Sequence, residues 1–241
     1  MIVKYEERPI SGQEKTMEKK IKQIILNRGQ NLLRILVILI PMAAGIFLWD
    51  RLPDQIATHF GIGGEADGWS SRGFTVFGIP LILLVLQLFC AAATLADPKR
   101  EKINEKMMNI VLWIIPATSI MVGVMIYTHA LGYPVDIEKI CLFYVGILFI
   151  VIGNYMPKCR QNYTAGIKVP WTLASEDNWN HTHRMAGWTY VLGGIAVILI
   201  SFIKMASLVL LLPIILIVAL LPILYSFLYY LKENREKKET D

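Results

Sequence analysis

The chain has 241 residues, 55% hydrophobic and only 18% charged, with 24 Lys and Arg against 19 Asp and Glu. A soluble domain interleaves apolar and charged positions at helical or strand period. Here the apolar residues come in uninterrupted blocks of about 20, the length that crosses a hydrocarbon core of about 30 Å, which argues against a soluble enzyme or a nucleic-acid-binding domain and for a polytopic, all-α integral membrane protein. The alternation of a membrane barrel is absent from the sequence. Cys90, Cys141 and Cys159 show no paired spacing, and the first two lie in apolar runs, so no disulfide framework is expected.

In chain order, residues 1–31 read as a charged, basic tail, in which Met17, Ile21, Ile24 and Ile25 recur at helical spacing among Lys19, Lys20 and Lys22. This pattern suits an amphipathic helix on an anionic leaflet or an ordinary solvated leader. No cleavable signal is evident, because the first apolar run is long enough to remain as an anchor. Six membrane helices are predicted: Leu32 to Trp49, with Arg34 snorkelling from its end; Gly73 to Ala96; Met107 to Leu131, kinked at Pro116; Ile137 to Tyr155; Arg184 to Phe202; and Met205 to Leu231. The sequence divides accordingly into 1–31, 32–96 with a loop at 50–72, 97–153, 154–231 with a loop at 154–183, and a second tail at 232–241.

Twenty of the 24 Lys and Arg fall on the side of the two tails and the 154–183 loop. The positive-inside rule then places both termini in the cytoplasm, the 50–72 loop outside and the 154–183 loop inside. Apart from Glu138 and Lys139 in the first turn of the fourth helix, the spans hold Gln87, scattered Ser and Thr, and His129, but no Asp, Glu or Lys, which weighs against an ion-coupled pump.

The outer loop carries Pro53, His59, Asp67 and Trp69. Ile56 to Phe60 reads as a short strand, Asp67-Gly68 as a turn, Trp69 as an interfacial anchor and Ser71 as a helix cap. His59 with Asp54, Glu65 and Asp67 lacks any known metal-ligand spacing, so a turn-rich cap that partners approach is the better reading.

The inner loop is polar, rich in Trp and His, and longer than a helix connection needs. Asn154 and Pro157 mark the end of the fourth helix, and Thr164-Ala165-Gly166 and Val169-Pro170 read as turns. Thr172 or Ser175 caps a helix with Glu176 and Asp177 in its first turn. Glu176, Asn180 and His183 then share one face, and Asp177, His181 and Arg184 its neighbour, as a polar network. A zinc or hydrolase site would draw on His181, His183, Cys159 and a carboxylate, and a nucleophile pair on Cys159 with either His. His-x-His on a helix aims its rings apart, however, and no third orienting group is marked. The competing readings are a docking surface anchored by Trp and Arg, or an aromatic belt of Trp171, Trp179 and Trp188. No catalytic residue, metal or cofactor is assigned.

Two stretches carry a resemblance. Leu52-Pro53, His59 and Gly64 to Trp69 resemble a domain of unknown function found in bacterial membrane proteins. Asn154-Tyr-Met-Pro157, Asn162, Gly166-Ile-Lys168, Pro170-Trp171-Thr172-Leu173, Glu176, Trp179, Thr182-His183-Arg184 and Gly187 resemble the signature of the SdpI family. Lys168 stands where Arg is common in that family, and Val169 where Thr is frequent. The resemblance implies a non-enzymatic plasma-membrane protein for immunity and signal transduction. Such a protein would meet a secreted peptide toxin through the outer loop, and hold a winged-helix repressor at the membrane through the inner one. The alternative from the residues alone is a membrane-embedded enzyme or small-solute permease using the inner His/Glu cluster.

Overall fold

The computed structural model describes residues 12–61, 64–96, 105–203 and 207–240. Six of its helices are long and apolar enough to cross a bilayer. They are α1 (Gly12–Phe47), α2 (Ile79–Ala96), α3 (Glu105–Ala130), α4 (Ile137–Tyr155), α6 (Glu176–Ile200) and α7 (Ser207–Thr240). A short helix, α5 (Pro170–Ala174), lies between α4 and α6.

Between α1 and α2 the chain forms an antiparallel hairpin of β1 (Gln55–Phe60) and β2 (Ala66–Ser71), paired from Gln55 opposite Ser71 to Phe60 opposite Ala66 with an irregularity at His59. The sequence predicts the first strand. For the second it predicts turns and an anchor instead, because Asp, Gly and Ser dominate it. Period-2 alternation exposes Asp67, Trp69 and Ser71 along β2. On β1, Ile56 is buried with Leu52, Val76, Ile126 and Tyr127, joining the hairpin to α3. Arg72 lashes the base: it pairs with Asp54, donates from Nη1 to the Trp49 carbonyl (3.0 Å) and lies 5.2 Å over the Trp49 ring. Ser71 Oγ accepts from the Phe74 N–H, as its cap position predicts.

Two helix contacts set the bundle. Between α1 and α3, Ser119 donates to the Ile38 carbonyl (2.9 Å) and Tyr127 to that of Pro41 (3.0 Å). Between α4 and α6, glycines seven residues apart on each helix meet in antiparallel pairs. A methyl at Gly146 would stand 2.8 Å from the Gly194 carbonyl, and one at Gly153 2.8 Å from that of Gly187. The backbones touch directly, the close approach that small residues permit in membranes. On α6 the adjacent Gly193 turns towards α7, where Val218 fills its space.

Several expectations change. The 1–31 tail and the first span are one helix from Gly12 onwards; the apolar face proposed around Met17 lies outside the residues whose side chains are described. The last span likewise continues through the 232–241 tail to Thr240, because nothing from Pro222 onwards breaks it. The fifth span starts at Glu176 rather than Arg184, since Ser175 Oγ caps it by accepting from the Asn178 N–H (3.2 Å). The connection at 97–104, the break near Lys204 and the Ile62-Gly63 turn lie outside the described residues.

Arg34 does not snorkel. It is 2% exposed, donates to Asn31 and Asn109 (both 2.6 Å) and lies 6.0 Å from the Trp113 ring centre. Amide oxygens on α1 and α3 replace the water its end position was expected to reach.

The glycine contact leaves no room for side chains. Gly194→Leu should cost at least the upper end of the range of about 1–3 kcal/mol typical of overpacking, because no rotamer moves a backbone carbonyl. Gly73→Ala, at a position with nothing within 4 Å, should be neutral. Thermal unfolding in detergent, followed by size-exclusion chromatography, checks both.

Candidate functional site

The signature loop, residues 158–175, folds over the first three turns of α6. Those turns begin with acidic residues at the positive helix end and then turn a polar face inwards: Asn178, Trp179, Thr182 and His183 all have no exposed surface.

His183 is the pivot. Its Nδ1 lies 2.8 Å from the Trp179 carbonyl, and its Nε2 lies 3.0 Å from the Ile167 N–H. A carbonyl can only accept and an N–H can only donate, so the ring is the neutral Nδ1–H tautomer with both nitrogens committed to backbone. The Trp179 indole stacks on it at 4.0 Å and donates from Nε1 to the Cys159 carbonyl (2.7 Å). Gly166 crosses above with φ +119°, and a methyl there would stand 2.5 Å from His183 Nε2 and 2.9 Å from the indole. Conformation and space both demand glycine.

The loop is tied to itself by the other signature residues. Asn162 Oδ1 accepts from the N–H groups of Thr164 (2.9 Å) and Ala165 (2.7 Å), while its Nδ2 donates to the Arg160 carbonyl (2.7 Å). Lys168 Nζ donates to the Tyr163 and Thr164 carbonyls at 2.9 and 3.2 Å. Thr172 Oγ1 accepts from the Val169 N–H at the start of α5, where Pro170 needs no partner for its missing donor. Pro157, in the turn after α4, packs its ring against Gly187.

A buried chain then joins the loop to α7. Trp171 Nε1 donates to Ser226 Oγ (2.5 Å), Ser226 donates to Asn178 Oδ1 (3.0 Å), and Thr182 donates to the same oxygen (3.0 Å). Asn178 Nδ2 returns to the Ser226 carbonyl (3.0 Å). Gln161, also buried, donates to the Thr172 and Leu173 carbonyls, both at 2.9 Å. Sequence reasoning passed over Gln161, Asn178 and Ser226. A usable signal was present for two of them: Asn178 stands one turn before Thr182, and Ser226 is a lone hydroxyl in a long apolar run.

The expected polar network is therefore placed differently. Glu176, Asn180, Asp177 and Arg184 are exposed, as are Asn154, Pro157, Lys168 and Pro170, while His183 is buried away from them. The aromatic belt also divides: Trp188 is 69% exposed, Trp171 half-buried and Trp179 wholly internal. His181 stacks on Tyr229 of α7 at 4.7 Å, apart from His183. Burial pushes the Cys159 thiol up to about 11, only partly offset by its hydrogen bond from Asn162, so at neutral pH it is a protonated, unreactive group. Among the described residues no group of three or more His, Cys, Asp or Glu is placed to hold a metal ion.

At the other end of the bundle, Pro53, His59, Asp67 and Trp69 are all exposed on the hairpin. His59 Nδ1 lies 2.5 Å from Asp67 Oδ1, and Trp69 stands opposite Ala57. Asp54 is committed to Arg72, which separates it from the His59–Asp67 pair. The two ends present different exposed side chains: Trp69 and the hydrogen-bonded His59–Asp67 pair on the hairpin, and Lys158, Arg160 and Arg184 around the folded loop.

Residues 158–226 match the SdpI/YfhL protein family, and residues 36–84 match a domain of unknown function, DUF1648. The first interval runs from the turn after α4 to Ser226, the span of the hydrogen-bonded unit just described; the second holds the hairpin and the helices that carry it. The chain is 28% identical over 210 residues to immunity protein SdpI of Bacillus subtilis strain 168, covering 85% of this chain and 98% of that protein. No solved structure matches it. The chain is thus similar to the SdpI/YfhL family over its signature region, and its six apolar helices make it a multi-pass bacterial membrane protein.

The geometry separates framework from surface. Ser226→Ala should cost about 1–3 kcal/mol by leaving the Trp171 indole and Asn178 without a partner in a buried place. Gly166→Ala should prevent loop closure altogether. Glu176→Gln and Arg184→Gln, both at exposed positions, should stay within about 0.5 kcal/mol of the parent. Unfolding midpoints in one detergent order the four variants.

Proposed function

We propose that this chain is a member of the SdpI/YfhL family and an immunity protein that protects its cell against a secreted, membrane-active peptide. The observation that carries the reading is the similarity to an immunity protein along nearly the whole of both chains. The signature loop supports the non-enzymatic part of it. A general base or metal ligand needs a free ring nitrogen, and both of those of His183 are taken by backbone.

The sidedness follows from charge. Lys158, Arg160, Lys168 and Arg184 cluster at the loop end, which the positive-inside rule places in the cytoplasm, so the hairpin faces outwards. There Trp69, 59% exposed, and the His59–Asp67 pair form the surface that meets the peptide, since a large rigid aromatic is the usual anchor of a recognition site. At the inner end the basic rim of the loop docks a cytoplasmic partner, a repressor of the winged-helix kind. Binding outside would alter that dock only through different affinities for two arrangements of the bundle, and the coupling is reciprocal.

Expression in a bacterium sensitive to a secreted membrane-active peptide should raise survival. Trp69→Ala should reduce protection at least tenfold at equal abundance in the membrane. Arg160→Glu with Arg184→Glu should leave protection intact while releasing the repressor from the membrane fraction. Failure of the parent chain to protect against any such peptide would overturn the immunity reading.

A further inference from the structure

We propose that α1, α2 and α3 share a single hinge plane directly beneath the hairpin, marked by Pro41, Pro80 and Gly123, about which the hairpin tilts as a rigid cap. The inference concerns the fold alone and does not rest on what the hairpin binds.

Each of the three helices carries its own weakening at this level. Pro41 stands inside α1 and removes one of its backbone donors, and its ring lies where a side chain on Gly123 of α3 would go, 2.6 Å from a methyl placed there. An interior glycine costs about 1 kcal/mol relative to alanine, so α3 carries a weakening where it meets the proline, in addition to the one at Pro116 two turns away. The chain leading into α2 departs from α-geometry altogether. Phe74 to Gly78 form a π-turn in which the Ile79 N–H reaches the Phe74 carbonyl, five residues back. Pro80 follows at once and has no N–H to give, either to Val76 in an α-register or to Thr75 in the π-register. The buried Thr75–Val76 turn therefore receives no hydrogen bond from position 80.

These positions converge. Pro41, Pro80, Gly123, Thr75, Ser119 and Tyr127 line one cavity, with about 10 Å³ of space for the centre of a water-sized sphere. That is room for about one water molecule among three hydroxyls. Above the plane, the lash by Arg72 and the Leu52–Ile56–Val76–Ile126–Tyr127 core hold the hairpin and the helix ends together as one body. Below it, Ser119 holds α3 to α1 at Ile38. Sharp kinks arise at prolines and π-turns; three weak points at one level allow the upper body to tilt without breaking either set of contacts.

Hydrogen–deuterium exchange on the full chain in lipid nanodiscs, read by mass spectrometry, tests the plane. Backbone amides of residues 74–83 should exchange at least tenfold faster than those of the α4–α6 contact at 146–153 and 187–194. Pro80→Ala, which supplies the missing donor, should slow the 74–83 segment at least tenfold while leaving α6 unchanged. Pro41→Ala should slow the same segment from across the cavity. A parent segment as protected as α6, or exchange unaltered by Pro80→Ala, would overturn the hinge. Slowing by Pro41→Ala confined to α1 would overturn the sharing of one plane, and this variant carries the test if Pro80→Ala does not fold.

Discussion

The C-terminal half of the molecule depends on one imidazole whose two nitrogens both serve backbone. His183 takes the Ile167 N–H of the loop on one side and gives its own proton to α6 at Trp179 on the other. A buried donor or acceptor left without its partner costs about 1–3 kcal/mol, so the loop cannot lift from the helix by small steps. Trp179 adds a stacked ring and a second tie, to Cys159, and the space above is so reduced that only glycine passes through it. The loop is thus an extension of α6 in hydrogen-bonding terms, even though it precedes that helix in the chain.

That arrangement requires α4 to deliver the chain close to α6, and the glycine pairs do so. Backbone contact at Gly146–Gly194 and Gly153–Gly187 brings the end of α4 within reach of the helix it must cover, and Pro157 closes on Gly187 at the exit. Ser226 then fixes α7 to the same place through Asn178 and Trp171. Three helices and a loop form one unit because each polar group inside it is answered by another, in a setting where lipid would answer none of them.

The helices were legible because apolar length is a direct physical requirement of the bilayer. Their ends were less so, since Ser175 caps α6 two turns before the apolar residues begin, and the polar turns between belong to the helix without resembling a span. The hairpin was half legible: β1 carries Ile and Phe, whereas β2 is built from Ala, Asp, Gly, Trp and Ser and pairs only because β1 is there. In the signature loop the right residues stood out, but their company did not. Glu176 and Asn180 share a helix face with His183 by spacing, yet the loop descends over the histidine and leaves the other two in the open. Spacing along one helix carries no information about what a distant segment will cover. For the same reason Arg34 read as a snorkelling end residue, when Asn109, 75 positions away, was its partner.

The two halves meet through few polar contacts, and their placement bears on what a hairpin at one end can do to a loop at the other. Thr118 of α3 and Tyr144 of α4 share a hydrogen bond of 2.8 Å, and Cys141 approaches Met125 two turns of α3 and one of α4 nearer the hairpin. Phe60 of β1 stands edge-on to His129 at the end of α3, 5.1 Å away, and the turn at Gly64 lies beside Glu138 in the first turn of α4. A tilt of the hairpin must therefore press on the start of α4. Once pressed, α4 cannot slide independently of α6, because the two are in backbone contact and their carbonyls do not yield as side chains do. Contact alone does not make coupling; a two-state element is needed somewhere along the way. In this fold the compliant part is the three-helix unit beneath the hairpin, and the stiff part is the unit that carries the loop. Motion would begin in the first and be transmitted by the second.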